Sequence, residues 1–111
     1  MATPILFVKG TDGQIELLPD RVVIHRKGFL NFFKYGIDAR REIPLISISG
    51  VGFRPAHFFN MGRIEFDHAG RTFINSTHNA VRFAQKHQDD FIQLKDKVFE
   101  IMQQLQQTRK G

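Results

Sequence analysis

The hydrophobic pattern of this 111-residue chain changes its period once, close to Phe83. Before that point, short segments rich in β-branched and apolar residues alternate with turn-forming residues about every ten positions. After it, apolar residues recur every three or four positions, as they do along one side of a helix. This order predicts an α+β, mainly β, fold in which one helix follows a series of antiparallel strands.

The strand-like segments span about residues 5 to 85 and predict about seven strands, arranged as a small antiparallel β-barrel or sandwich. Eight segments fit this strand-like pattern, at 5–8, 14–17, 21–27, 37–43, 45–53, 62–67, 71–74 and 80–83. Turns are predicted at 10–13, where two glycines flank Thr11 and Asp12, and at Pro19 and Asp20.

One predicted strand, at 45–53, contains a change of phase. Ile46 and Ile48 share one parity, whereas Val51 and Phe53 share the other, and Gly50 lies between the two pairs. A regular strand cannot direct both pairs to the same face of a sheet. We therefore predict a β-bulge or bend near Gly50.

The helix is predicted at about 88–107, with Asp89 and Asp90 in its first turn, where acidic side chains favour the helix dipole. Its apolar stripe consists of Phe91, Leu94, Val98, Ile101 and Leu105. We expect this stripe to close the open end of the barrel, so that residues 1–111 form a single domain. Ile92 and Phe99 lie to one side, either at the edge of the core-facing band or as a contact for a second subunit.

Several classes of protein are disfavoured by what the sequence lacks. It has no cysteine, which excludes disulfides and thiolate metal sites, and no run of about 18 apolar residues. The N-terminus has no signal-peptide pattern, so we expect a cytoplasmic protein. No metal-ligand, phosphate-loop or nucleophile-elbow motif occurs, which predicts a non-enzymatic protein without a cofactor or metal. A small hydrolase or lyase would need a deep polar pocket containing two of His57, His68 and His78.

The positive charge is concentrated in the middle of the chain. The formal net charge is +5, and residues 21–63 contain eight Lys and Arg against two Asp and Glu. The residues predicted to form a basic face are Arg26, Lys27, Lys34, Arg40, Arg41, Arg54 and Arg63. Such a face attracts anionic lipid, nucleic acid or acidic protein, although a solvated surface that only aids solubility gives the same pattern.

Two loops, at 28–36 and 57–62, are unusually rich in aromatic residues. In an up-and-down meander, loops that are two strands apart emerge at the same end, which predicts an aromatic rim beside Lys34, Arg54 and Arg63. The rim residues are Phe29, Phe32, Phe33, Phe58 and Phe59. Aromatic rings among cations suit insertion into an anionic membrane or stacking on single-stranded nucleic acid. Alternatively, Phe29, Phe32 and Phe33 lie on one helical turn that folds inward and closes the barrel.

The pattern resembles bacterial pleckstrin-homology-like domains, in which about seven strands are followed by one C-terminal helix. The residues that carry the resemblance are those at 26–30, Gly36, 42–45, Ile48, Val51, 62–66, 79–83, Phe91 and 94–95. The resemblance implies a domain that binds lipid head groups or proteins and that in some members self-assembles into rings. It implies no phosphoinositide site here, because the connection at 18–21 is short and contains Asp20, and because the chain has no tryptophan.

Together these observations predict a non-catalytic interaction module that binds an anionic membrane surface or self-assembles through protein contacts. We expect it in the cytoplasm, peripherally at the inner membrane face. A nucleic-acid-binding small barrel, using the basic middle segment and exposed aromatic rings, is the alternative function.

Overall fold

A computed structural model describes residues 4–26, 40–68 and 79–110 of the chain. In this part of the chain, seven strands form two antiparallel sheets and one long helix follows them, so the α+β, mainly β, prediction is confirmed. The strands are β1 (Leu6–Lys9), β2 (Gly13–Leu17), β3 (Arg21–Arg26), β4 (Arg40–Pro44), β5 (Ile48–Arg54), β6 (Gly62–His68) and β7 (Ala80–Phe83). The helix is α1 (Gln88–Lys110), and short 3-10 helices lie at Leu45–Ser47 and Gln85–His87.

The first sheet is a meander in the order β1-β2-β3-β4. Its core face carries Ile15 opposite Ile24 and Val22 opposite Ile43, and all four side chains are fully buried. The predicted turns are confirmed by backbone hydrogen bonds. The N–H of Gly10 donates to the carbonyl of residue 13 at 2.7 Å, and that of residue 18 donates to residue 21 at 2.8 Å.

The second sheet has the order β5-β6-β7 and contains the predicted bulge. Ile48 is opposite His68 while Gly50 is opposite Asp67, so Ser49 is the extra residue of β5. The bulge changes the parity of the strand, because Ile48 is buried before it and Val51 packs against the core after it.

The prediction of a strand at 45–53 is wrong at its start, because β5 begins at Ile48. Leu45–Ser47 forms a 3-10 helix, because the chain leaves the first sheet at Pro44 and crosses to the second, and the Ser47 hydroxyl donates to the Pro44 carbonyl at 2.8 Å. Leu45 is buried in place of Ile46, whose side chain is 61% exposed. The shared parity of Ile46 and Ile48 therefore did not mark a shared face.

The two sheets are not closed into a barrel in the described part of the chain, which corrects that prediction. A closed barrel would need paired ladders between the edge strands of the two sheets, and none is present among the described residues. The N–H of Thr11, in the turn after β1, instead donates a hydrogen bond to the Arg82 carbonyl at 2.7 Å. The predicted strand at 71–74 and the predicted aromatic loop at 28–36 lie outside the described residues.

Helix α1 buries its predicted stripe against both sheets, instead of closing the end of a barrel. Phe91, Leu94, Val98 and Ile101 belong to the same core cluster as residues from both sheets, and Leu105 packs at its edge. The Phe91 ring stacks on Phe83 of β7 with centroids 4.3 Å apart. No helix among the described residues is both long and apolar enough to cross a bilayer.

Candidate functional site

Three arginines lie side by side across the second sheet. Arg54 of β5 is directly opposite Arg63 of β6, and Arg63 is directly opposite Arg82 of β7. Directly opposed residues in antiparallel strands point to the same face, with Cβ atoms about 5 Å apart. The neighbouring positions Ile64 and Val81 are fully buried, so the three arginines occupy the outer face. We refer to Arg54, Arg63 and Arg82 as the arginine row.

Two carboxylates partly compensate the arginine row. A terminal nitrogen of Arg63 lies 3.4 Å from Glu65, and Nε of Arg82 lies 3.2 Å from Asp12. Asp12 also accepts the backbone N–H of Arg82 at 2.8 Å, which fixes the turn after β1 to β7. Arg54 has no ion-pair partner among the described residues. Like charges directly opposite one another destabilise a sheet, so an uncompensated charge in this row favours an anionic ligand.

A tight turn beyond the arginine row exposes two phenylalanines. His57 and Asn60 exchange backbone hydrogen bonds of 2.7 and 3.2 Å, which places Phe58 and Phe59 at the two corners of the turn. Their side chains are 83% and 89% exposed. Turn corners are usually occupied by Gly, Pro, Asn, Asp or Ser, whose backbone or hydrogen-bonding properties favour the turn. Two phenylalanines provide none of these properties, which makes them a candidate contact surface. We refer to Phe58 and Phe59 as the phenylalanine tip.

The base of this loop is held firmly although its tip is exposed. Ala56 is buried in the core, and its backbone N–H donates to the side-chain carbonyl of Gln88, at the start of α1, at 2.6 Å. Gly62 allows the other end to pack closely, because a Cβ atom there would lie 2.5 Å from the Phe83 ring and 2.7 Å from the Arg54 carbonyl. The phenylalanine tip is therefore displayed at a fixed place relative to the arginine row.

A cleft of about 500 Å³ lies between the loop and the arginine row. Its polar lining consists of Arg54, His57, Asn60 and Arg82, and Phe59 contributes an aromatic wall. We refer to it as the arginine cleft. A second space, of about 400 Å³, lies on the other side of the row and is lined by Asp12 and Arg63 as well as by Arg54 and Arg82. Guanidinium, imidazole and amide groups together make the arginine cleft a set of hydrogen-bond donors suited to an oxyanion.

The structure separates the predicted basic face into two groups. Arg54 and Arg63 lie in the arginine row on the second sheet, whereas Arg41 is exposed on β4 of the first sheet, opposite Ile24. The backbones of Arg26 and Arg40 lie at the same end of the β3–β4 pair, as expected for a regular hairpin. Lys27, Lys34, Phe29, Phe32 and Phe33 are outside the described residues.

Sequence reasoning missed Arg82 and Asp12 as site residues. Arg82 alternates with the buried Val81 and Phe83, which marks it as outward-facing, but its position beside Arg63 depends on the register of β6 and β7. Asp12 lies in a turn signal and is 70 residues from Arg82 in sequence. Only the tertiary structure brings these two residues together.

Of the three histidines that could form an enzyme's polar pocket, His57, His68 and His78, the structure describes the side chain of His57 alone. His57 lines the arginine cleft, whereas the side chains of His68 and His78 lie outside the described part of the structure. Within that part, no three His, Cys, Asp or Glu side chains are grouped so that they could hold a metal ion.

We compared the chain with protein-family models, with curated protein sequences and with solved structures, and none of the three comparisons gave a match. The function is therefore argued from the site itself.

Proposed function

We propose that this protein is a non-catalytic module that docks on an anionic membrane surface through the phenylalanine tip and the arginine row. The observation that carries the proposal is the exposure of Phe58 and Phe59, at 83% and 89%, at the corners of a turn that follows directly from the row. An anionic membrane surface binds this arrangement. The aromatic side chains enter the boundary between head groups and acyl chains, and the arginines beside them lie at head-group level.

The energetics favour a weak and reversible attachment. Burying a phenylalanine side chain is favourable by about 1.5 to 3 kcal/mol, and each basic residue near an anionic surface contributes about 1 kcal/mol. The charged part of this attraction decreases as salt screens it, whereas the apolar part persists. The module would therefore need both parts at physiological ionic strength.

We also propose membership of the pleckstrin-homology-like domains, with docking at the inner face of the cytoplasmic membrane. Seven described strands in meander order, followed by a C-terminal helix, support this assignment. It agrees with a role in contacting lipid head groups or proteins.

Nucleic-acid binding is the second candidate function, because Phe59 lines the same cleft as Arg54 and Arg82. A stacking ring beside cations is what single-stranded nucleic acid requires. We favour the membrane because Phe58 and Phe59 meet edge to face, with centroids 4.8 Å apart and an interplanar angle of 82°. They therefore do not present parallel ring faces to successive bases.

Co-sedimentation with vesicles tests the proposal. We expect the protein to sediment with vesicles that contain phosphatidylglycerol and not with pure phosphatidylcholine, and we expect salt to weaken this binding without abolishing it at about 0.15 M. The double variant Phe58→Ser/Phe59→Ser should bind about tenfold or more weakly, because even half of the expected burial energy exceeds 1.4 kcal/mol.

The matched control is Phe7→Ser, which removes a phenylalanine that is 49% exposed on β1 of the other sheet and should leave vesicle binding unchanged. Equal binding by the double variant and the wild type, or no binding at low salt, would rule out the membrane proposal. Two parallel measurements would then identify what the tip contacts. Binding of a fluorescently labelled single-stranded oligonucleotide would indicate nucleic acid, and sedimentation without vesicles would indicate self-association.

A further inference from the structure

We propose that the arginine cleft is a specific site for one phosphate monoester group, held between Arg54 and Arg82. This inference rests on the proposed function and makes it more specific. A diffuse attraction to negative charge would need only the arginine row, whereas the cleft adds hydrogen-bond donors that surround a single group.

The two arginines approach the cleft from different strands. Arg54 is on β5 and Arg82 on β7, with β6 between them, so their backbones are about 10 Å apart at the usual strand spacing. Both side chains line the same cleft of about 500 Å³. Two guanidinium groups that line one space can both donate hydrogen bonds to the same phosphate group.

The donor groups of the cleft are available. Asp12 accepts from Nε of Arg82, which leaves both terminal nitrogens of that guanidinium without a hydrogen-bond partner among the described residues. The side chains of Arg54, His57 and Asn60 likewise have no hydrogen-bond partner in the described part of the chain. Four polar side chains with free donors therefore line one cleft.

The lining also favours an anion over a neutral or cationic group. No carboxylate is among the described residues that line the arginine cleft, whereas Asp12 lines the space on the other side of the row. An anion would therefore occupy the side that faces the phenylalanine tip. Asp12 is a positioning residue, because it holds the Arg82 guanidinium and backbone from behind the cleft.

The number of donors points to a monoester. Two guanidinium groups, an imidazole and an amide line the space, and a monoester offers three terminal oxygens and about two negative charges to them. A phosphodiester offers two free oxygens and one charge, so it would form fewer and weaker charge-assisted hydrogen bonds with the same donors. The terminal phosphate of a lipid head group and a soluble phosphate monoester share this chemistry.

The test compares two lipids at equal surface charge. Vesicles of phosphatidylcholine are mixed with phosphatidate, a monoester, or with phosphatidylglycerol, a diester, in proportions that give the same measured zeta potential. We expect the wild type to bind the phosphatidate vesicles about tenfold more tightly, and Arg54→Gln to lose this preference while retaining weak binding to both. Arg41→Gln, which removes the same charge from an exposed position on the first sheet, should keep the preference.

A second arm uses soluble glycerol 3-phosphate and follows the protein by NMR. Binding should shift the side-chain resonances of Arg54, His57 and Asn60 in the wild type, and Arg54→Gln should weaken this response. Equal binding of both lipids by the wild type would overturn this inference and leave the membrane proposal standing. If no vesicle is bound, the membrane proposal fails, and the NMR titration alone decides: a saturable response at the cleft supports the phosphate site, and no response overturns it.

Discussion

Replacing Phe91 by alanine is expected to lower the free energy of unfolding by about 3 to 5 kcal/mol. Phe91 is fully buried and forms the inner end of a stack of three rings, with Phe83 at 4.3 Å and Phe53 a further 5.6 Å from Phe83. This stack joins α1 to β5 and β7, so the truncation removes apolar burial and leaves a cavity where the helix meets the second sheet.

Urea denaturation followed by circular dichroism measures this loss. Phe99→Ala is the matched control, because Phe99 lies on the same helix with 40% of its surface exposed and is absent from the core cluster. We expect Phe99→Ala to lower the free energy of unfolding by about 1 kcal/mol or less. Similar losses in the two variants would mean that the helix does not use the Phe91 face to cover the core.

Replacing Gly10 by alanine is expected to destabilise the protein by about 3 kcal/mol, at the upper end of the range for overpacking. A Cβ atom at Gly10 would lie 2.5 Å from the Arg82 carbonyl and 2.5 Å from a methyl group of Val81. Because the carbonyl is backbone, the clash is relieved only when the turn after β1 separates from β7. That separation also releases Asp12 from Arg82, so glycerol 3-phosphate binding should weaken together with stability.

Gly52→Ala provides the comparison for this variant. A Cβ atom at Gly52 would have its nearest neighbour, the Cβ of Glu65, at 3.9 Å, which is ordinary van der Waals contact. In thermal unfolding, the melting temperature of Gly52→Ala should therefore be close to that of the wild type. If Gly10→Ala were as stable as the wild type, the close approach of the turn to β7 would not be a feature of the folded protein.

Those parts of the fold that depend on local periodicity could be predicted from the sequence. The stripe from Phe91 to Ile101 identified the buried face of α1, and the parity change predicted a bulge or bend near Gly50, which the structure places at Ser49. Ile46 shows the limit of parity as a guide. A 3-10 turn after Pro44 rotates the chain by a different angle per residue from a strand, so Leu45 becomes buried and Ile46 becomes exposed.

The candidate site could be predicted only in part, because its residues come from distant segments. Arg54 and the phenylalanine tip are near neighbours in sequence, and an aromatic loop beside cations was visible there. Arg82 joins them only through the pairing of β6 with β7, and Asp12 only through the hydrogen bonds of the turn after β1. Neither relation has a local sequence signal.

The bond between Asp12 and Arg82 has a consequence for the order of folding. Each pair of strands in the first sheet joins neighbours along the chain, whereas this bond closes a loop of 70 residues, and contacts of such long range form slowly. Pulse-labelled amide exchange during refolding should therefore protect the amides of Ile15 and Ile24 before that of Arg82, whose N–H donates to Asp12. On the ribosome, the strands of the first sheet can pair while β7 is still unsynthesised, so this part of the fold can form before the arginine cleft is complete.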